Sequence, residues 1–289
     1  MSIVFLNGDF MPIEDAKISP LDRGFLFGDG IYEVIPSYFG KMVGFRGHIA
    51  RMNDGLKEIG INLNWSDEQW KTLCDDLASK NSEVGECPLG IYLHVSRGAD
   101  TKRFHAFPEN VAPTVFAMAF EIPNPKKPDL DTVGKGYALT STEDLRWQRC
   151  HIKSTALLGN VLHFQEGYEA GSQETLLYNR NNELTEASAS NVFIVKDGII
   201  STPVQDNQIL PGITRRLVLD ILAADGTLTV QERNISLDEA KNADEIWITS
   251  SSKEIAAITM LDGKPVGTGK VGPVWLKAAT LYSENKYNY

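Results

Sequence analysis

Two kinds of hydrophobic spacing run along the chain. Alternating or short unbroken apolar runs mark VFLNGDFM, FLFGDGIYEVIPSYFGKMVGF, GIYLHVSRG and TVFAMAFEI as strands, with Gly-containing turns in the first two. HIARMNDGLKEIGI has helical spacing and stops near Gly60. SDEQWKTLCDDLASKNS opens on an N-cap serine and an acidic first turn, which predicts a second helix. IPNPKKPDLD, with three prolines and two lysines, has a linker's composition. From about Leu130, strands and helices alternate: KGYALTST, a helix after Lys153, TLLYN, NVFIV, IISTP, a helix at Thr214, LTVQERNI, a short helix in LDEAKNA, DEIWITSSSKEIAAITMLDGKPV and a terminal helix in VWLKAATLYSENKYNY. The pattern predicts an α/β (α+β) chain. A small α+β domain over residues 1–122 is followed by a linker over 123–129 and a larger mixed α/β domain over 130–289, with both domains walling one cleft.

Composition narrows the function classes. The chain has 289 residues and is 42% apolar, enough for one large domain or two moderate ones, each with its own core. Its net charge of −10, with the basic residues dispersed, argues against a nucleic-acid partner. Cys74, Cys87 and Cys150 form neither a disulfide framework nor a metal motif, and reduced thiols in a cytoplasmic protein are the simplest account. The N-terminus lacks a signal peptide's basic region, and no apolar run approaches a membrane span. The five histidines make no metal motif, so no metal is expected. His163 reads as a helix-face residue. His48 and Arg51, three apart at a helix start, can share a face.

Three segments carry candidate chemistry. Lys153, in RCHIKSTALLGNVLHFQ, precedes an apolar stripe of Leu157, Leu158, Val161 and Leu162, with Ser154 as the expected N-cap. That places the lysine at the lip of a helix. Glu186 lies in a Ser-rich turn between ETLLY and NVFIV. In LPGITRRLVLDILAADG, Pro211-Gly212 makes a turn, and Ile213 and Thr214 open a helix whose free N–H groups and positive dipole end suit an anion. A lone lysine or carboxylate is usually a solvated surface residue, and such a turn is usually an ordinary helix start. A fixed amine, a carboxylate and an anion site together are what pyridoxal phosphate requires.

These segments resemble the fold-type IV aminotransferases, the family of the D-amino acid and branched-chain enzymes. NGDFMPIEDAKISPLDRGFLFGDGIYEVI and FRGHIARM agree with it, and the resemblance covers most of the chain in order. It implies the two-domain fold of that family and pyridoxal 5′-phosphate as cofactor, joined covalently to Lys153. It also implies Glu186 at the pyridine nitrogen, Arg51, Ile213, Thr214 and Ser251 around the phosphate, and Leu210 against the ring. Arg146 would lie near the phenolic oxygen, and His48 would give structural support near the phosphate.

Strand alternation puts Tyr32 and Val34 on one face, and Arg103 and His105, two apart, point to one side of an extended chain. One guanidinium fork with an imidazole and a phenol suits a carboxylate. This set resembles the carboxylate site of D-amino acid aminotransferases, where the Arg and His come from the neighbouring subunit, and so implies a homodimer with shared active sites. The implied reaction is transamination of D-amino acids such as D-alanine with 2-oxo acids such as 2-oxoglutarate. An R-selective amine transaminase is the nearest rival, followed by a branched-chain L-amino acid aminotransferase and an aminodeoxychorismate lyase. The chain departs from the D-specific pattern at Thr101-Lys102, where Ser-Pro is more typical, and at Ala189, where serine stands.

Overall fold

The computed structural model describes residues 2–82, 87–125, 127–130 and 136–289. They form two compact units, one of residues 1–124 with 152–157, the other of residues 125–151 with 158–289. Within the expected linker Lys126 lies outside the described residues, as do 131–135 at the expected start of the second domain.

The first unit contains β1 (Ile3–Leu6), β2 (Asp9–Pro12), α1 (Arg23–Phe27), β3 (Gly30–Tyr38), β4 (Lys41–Met42), α2 (Phe45–Glu58), α3 (Asp67–Asn81), β5 (Leu89–Ser96) and β6 (Thr114–Glu121). Its strands make one antiparallel sheet in the order β2-β1-β6-β5-β3-β4. Period-two patterning decides what β3 buries. Ile31, Glu33 and Ile35 go inside, and Tyr32 and Val34 lie on the half-buried face. Helix α3 starts where Ser66 and Gln69 exchange capping-box hydrogen bonds, and it buries Trp70, Leu73, Cys74 and Leu77 at helical spacing. One feature departs from the strand pattern expected for FLFGDG. RGFLF is instead a five-residue helix, capped by Asp22 accepting from Gly24 N and ended by Gly28 at φ 65°.

The second unit contains β7 (Tyr137–Glu143), α4 (Leu158–Glu169), β8 (Glu174–Tyr178), β9 (Leu184–Ala187), β10 (Asn191–Lys196), β11 (Ile199–Thr202), α5 (Ile213–Asp225), β12 (Thr229–Glu232), α6 (Leu237–Lys241), β13 (Glu245–Ser250), β14 (Glu254–Leu261), β15 (Lys264–Pro265) and α7 (Pro273–Asn285). Its mixed sheet runs β12-β11-β10-β13-β14-β7-β8-β9, with β15 on β14. A core of Leu139, Leu176, Val192, Ile194, Ile246 and Ile248 fills one face.

Two expectations near the candidate site are corrected here. Lys153 is not at a helix lip, because α4 starts only at Leu158 and residues 152–157 are non-helical and belong to the first unit. Ser154 caps no helix; its hydroxyl accepts from Ala156 N and its backbone bridges Ile31. The apolar stripe of α4 faces outward. Leu158, Val161 and Leu162 are 71%, 57% and 61% exposed. The buried side belongs to His163 and Gly167, so His163 is interior, its Nε2 accepting from Leu145 N. A Cβ on Gly167 would lie 2.5 Å from Thr175 Oγ1, and only a residue without one lets the helix sit this close to β8.

Candidate active site

In the first unit, Lys153 is held by backbone pairing and by its neighbour. Tyr32 N donates to Lys153 O at 3.1 Å, and Thr155 N donates to Gly30 O at 2.9 Å. Ile152 enters the core beside Ile31 and Met52. The segment turns tightly over Gly28, where an added Cβ would lie 2.8 Å from Ala156 Cα. Lys153 Nζ is 4.2 Å from the centroid of the Tyr32 ring. The amine is therefore fixed at its root and lies over an aromatic face.

Behind Tyr32, on the buried side of β3, Glu33 binds two partners from α2. Arg51 Nε and Nη2 donate to its two oxygens at 2.7 and 2.8 Å, and His48 Nδ1 lies 2.7 Å from Oε2. Burial would raise the Glu33 carboxyl, but the Arg51 guanidinium and His48 hold it far below the usual carboxylate range. Burial pushes His48 down against the pull of Glu33. For Glu33 this stabilisation is complete above its unfolded value of about 4.3 and is lost as pH falls towards the folded value. For His48 the unfolded chain takes up a proton first, below about 6.5, so stability falls in the same direction. Urea midpoints should therefore drop as the pH is lowered from 7 to 4. Glu33→Gln should cost about 3–5 kcal/mol, because it strands a buried guanidinium. A midpoint that is flat with pH, or unchanged in the variant, contradicts this account.

Arg103 and His105 lie in an exposed, irregular loop between β5 and β6. The structure brings them together on Phe27 of α1. Arg103 Cζ is 5.1 Å and the His105 ring centroid 5.2 Å from the Phe27 ring centroid. Beneath them Asp29 joins Arg23 Nε and Arg97 Nε at 2.8 Å each. Burial would raise Asp29, and the two arginines hold it below its ordinary value.

In the second unit, Glu186 is on strand β9 rather than in a turn. Three donors surround its carboxylate. Arg146 Nη1 donates to Oε1 at 2.6 Å, and Asn191 Nδ2 and Leu210 N donate to Oε2 at 3.0 Å each. Burial holds the Glu186 carboxyl above its ordinary value, and Arg146 opposes part of that rise. The Arg146 guanidinium is occupied by Glu186 and Asp144, the latter through Nε and Nη2. Ile213 and Thr214 open α5, whose N-cap Gly212 provides no side-chain cap, so the first-turn amides lack intrahelical partners. Ser251 follows β13, and Thr249 Oγ1 is buried with no hydrogen-bond partner. Burial pushes the Cys150 thiol up to about 12, so it stays protonated at neutral pH and is no nucleophile.

Residues 30–261 match the model of the family described as amino-transferase class IV. The chain belongs to the class IV aminotransferases. D-alanine aminotransferase of Staphylococcus epidermidis is 39% identical over 275 residues, 95% of this chain and 94% of that one. The enzyme of the same name from Listeria monocytogenes is 37% identical over 274 residues, 94% of this chain and 91% of its own length. Among solved structures, the T.th. branched-chain amino acid aminotransferase with pyridoxamine 5′-phosphate superimposes with a TM-score of 0.88 at 26% identity, covering 99% of this chain and 94% of that one.

For a class IV aminotransferase the donor set of the second unit suits a phosphorylated pyridine. Uncapped amides, the Ser251 hydroxyl and the unsatisfied Thr249 Oγ1 offer donors to a phosphate. Glu186, a buried carboxylate ringed by donors, can meet a ring N–H. Several supporting residues carry no sequence signal. Glu33 and Asn191 are ordinary polar residues in strands. Glu174 is fully buried, accepts from Ala189 N and Ser190 Oγ at 2.9 and 2.6 Å and pairs with Lys253 Nζ at 2.7 Å. It thereby links the turn after Glu186 to the segment after Ser251, and Ala189 takes part through its backbone alone.

Proposed function

We propose that this aminotransferase moves the amino group of D-amino acids such as D-alanine to 2-oxo acids such as 2-oxoglutarate, using pyridoxal 5′-phosphate with Lys153 as the catalytic residue. The observation that carries this is the 39% identity to a D-alanine aminotransferase over 95% of the chain. When bound, the cofactor withdraws electrons from the substrate's α-carbon and makes its proton acidic. Lys153 Nζ would take the α-proton and later give it back, acting as base and then acid. Arg51, Ile213, Thr214 and Ser251 hold the phosphate, and Leu210 packs on the ring. Glu186 keeps the ring nitrogen protonated. Arg146, through its pair with Glu186, favours the ionised carboxylate that this role needs. Tyr32, Arg103 and His105 bind the substrate carboxylate and so decide which face of the α-carbon meets the lysine. Two half-reactions at one site imply ping-pong kinetics.

The active unit in this proposal is a homodimer in which Arg103 and His105 serve the neighbouring subunit. Support comes from α4, where Leu158, Val161, Leu162 and Tyr168 make an exposed apolar face of the kind that protein interfaces cover. A cytoplasmic location is supported by three free cysteines. Among the described residues no helix is long and apolar enough to cross a membrane.

Arg103→Leu tests the substrate assignment. Losing a charged hydrogen bond costs about 1.5–3 kcal/mol, so kcat/KM for D-alanine should fall by about one to two decades. Activity on (R)-1-phenylethylamine, which has no carboxylate, should be spared. Equal small losses on both substrates favour an R-selective amine transaminase. Mixing Lys153→Ala and Arg103→Leu subunits addresses the dimer. In a mixed dimer the Arg103→Leu subunit keeps its own Lys153 and receives an intact Arg103, so one site recovers. No gain after confirmed subunit exchange rules out the shared site.

A further inference from the structure

Arg23 is 3% exposed, yet it reaches a surface loop. Its Nη1 donates to Phe104 O at 2.5 Å and to Ala106 O at 3.3 Å, and its Nη2 donates to His105 O at 3.1 Å. Three successive carbonyls of one irregular segment are thus gathered by one guanidinium. Its Nε is anchored on Asp29 at 2.8 Å. Asp29 is in turn held by Arg97 Nε and Nη2 at 2.8 and 2.9 Å, and Arg97 donates to Ile59 O and Gly60 O and stacks its Cζ 3.5 Å from the Phe107 ring centroid. The same helix, α1, presents the Phe27 ring, with Arg23 Cζ 4.9 Å from its centroid and Arg103 and His105 beside it.

Burying a guanidinium is costly unless every donor finds a partner. Here the partners include loop carbonyls that water could otherwise satisfy, so the stability gain from these bonds is small. What they achieve is geometric. A carboxylate fork works only if its backbone is fixed, and residues 101–107 have no strand or helix to fix it. Only arginine has a planar head with enough donors to hold Asp29 and three carbonyls together.

We propose that Arg23 is the positioning residue for the substrate-carboxylate pair, holding Arg103 and His105 in register through the Phe104, His105 and Ala106 carbonyls and the Phe27 platform. This rests on the assignment of Arg103 and His105 to the carboxylate given above. Arg23 thereby supports the preference for substrates that carry a carboxylate, in place of the loop rigidity that Ser-Pro would provide at Thr101-Lys102.

The test uses the holoenzyme with Arg23→Lys, Phe27→Leu, Arg103→Leu and the Arg23→Lys/Arg103→Leu double variant. KM and kcat for D-alanine, the inhibition constant of propionate as a bare carboxylate, and amide hydrogen exchange of residues 101–107 are measured. Lysine keeps a positive charge for Asp29 and loses the fork. Arg23→Lys should raise KM and the propionate constant about tenfold, with kcat changed much less, and should speed exchange in the loop. Phe27→Leu, which leaves the buried ion cluster intact, should shift the same quantities in the same direction and serves if Arg23→Lys does not fold. In the double variant the Arg23 change should add nothing to Arg103→Leu. If Arg103→Leu weakens carboxylate binding while Arg23→Lys and Phe27→Leu do not, the positioning role is overturned and the carboxylate assignment stands. Effects of the two sites that simply add, or a fall confined to kcat, also overturn it. If Arg103→Leu itself changes nothing, the carboxylate assignment fails and this role fails with it.

Discussion

Lys153→Ala should abolish transamination, with single-turnover conversion of D-alanine falling by at least about four decades. A positioned acid–base group alone contributes about two to four decades, and in the proposed role this lysine also provides the covalent attachment. The fold should survive. The bonds that hold the segment, Tyr32 N to Lys153 O and Thr155 N to Gly30 O, are backbone bonds, and Ile152 keeps its place in the core. Only the side chain lying over Tyr32 is lost. Stopped-flow single-turnover rates, thermal midpoints and the absorbance of the lysine-linked cofactor check the three parts separately. A variant with near-normal turnover that keeps that absorbance sinks the assignment.

Glu186→Gln should keep the cofactor and slow removal of the α-proton by about two to four decades, since a neutral amide no longer favours a protonated ring nitrogen. The structure adds a second reason for a large effect. All three neighbours of the carboxylate are donors: Arg146 Nη1 on one oxygen, and Asn191 Nδ2 and Leu210 N on the other. An amide accepts on only one side, so its NH₂ group must face a donor, at a cost of about 1–3 kcal/mol for an unsatisfied buried group. The variant should therefore be less stable as well as slower. A deuterium isotope effect at the α-carbon should grow as proton removal becomes rate-limiting. Unchanged single-turnover rates with D-alanine rule out the role at the ring nitrogen.

Local signals in the chain mapped onto structure where a short segment determines its own conformation. Ser66, Asp67, Glu68 and Gln69 start a helix wherever the chain places them, because a capping box satisfies its own donors. Alternation along GIYEVI was enough to put Tyr32 and Val34 on one face; that the opposite face buries Glu33 came from the structure. Pro211-Gly212 before an amphipathic run marked the start of α5. Residue identity and order along the chain made Lys153, Glu186 and the turn at Ile213 the candidate set. Tertiary structure decided what depends on partners distant in sequence. The run Leu157, Leu158, Val161, Leu162 has the same spacing whether it faces a core or solvent. Here the close approach of Gly167 to Thr175 turns it outward. Lys153 sits on a segment that pairs with β3 of the first unit, a grouping set by the placement of Ile152 in that core. The charged partners could not be read from order either. Glu33 with Arg51, Arg146 with Glu186, Glu174 with Lys253 and Arg23 with residues 104–106 are 18, 40, 79 and 81–83 positions apart. A charge shows in sequence that it needs a partner when buried, but only the fold determines which charges are buried together.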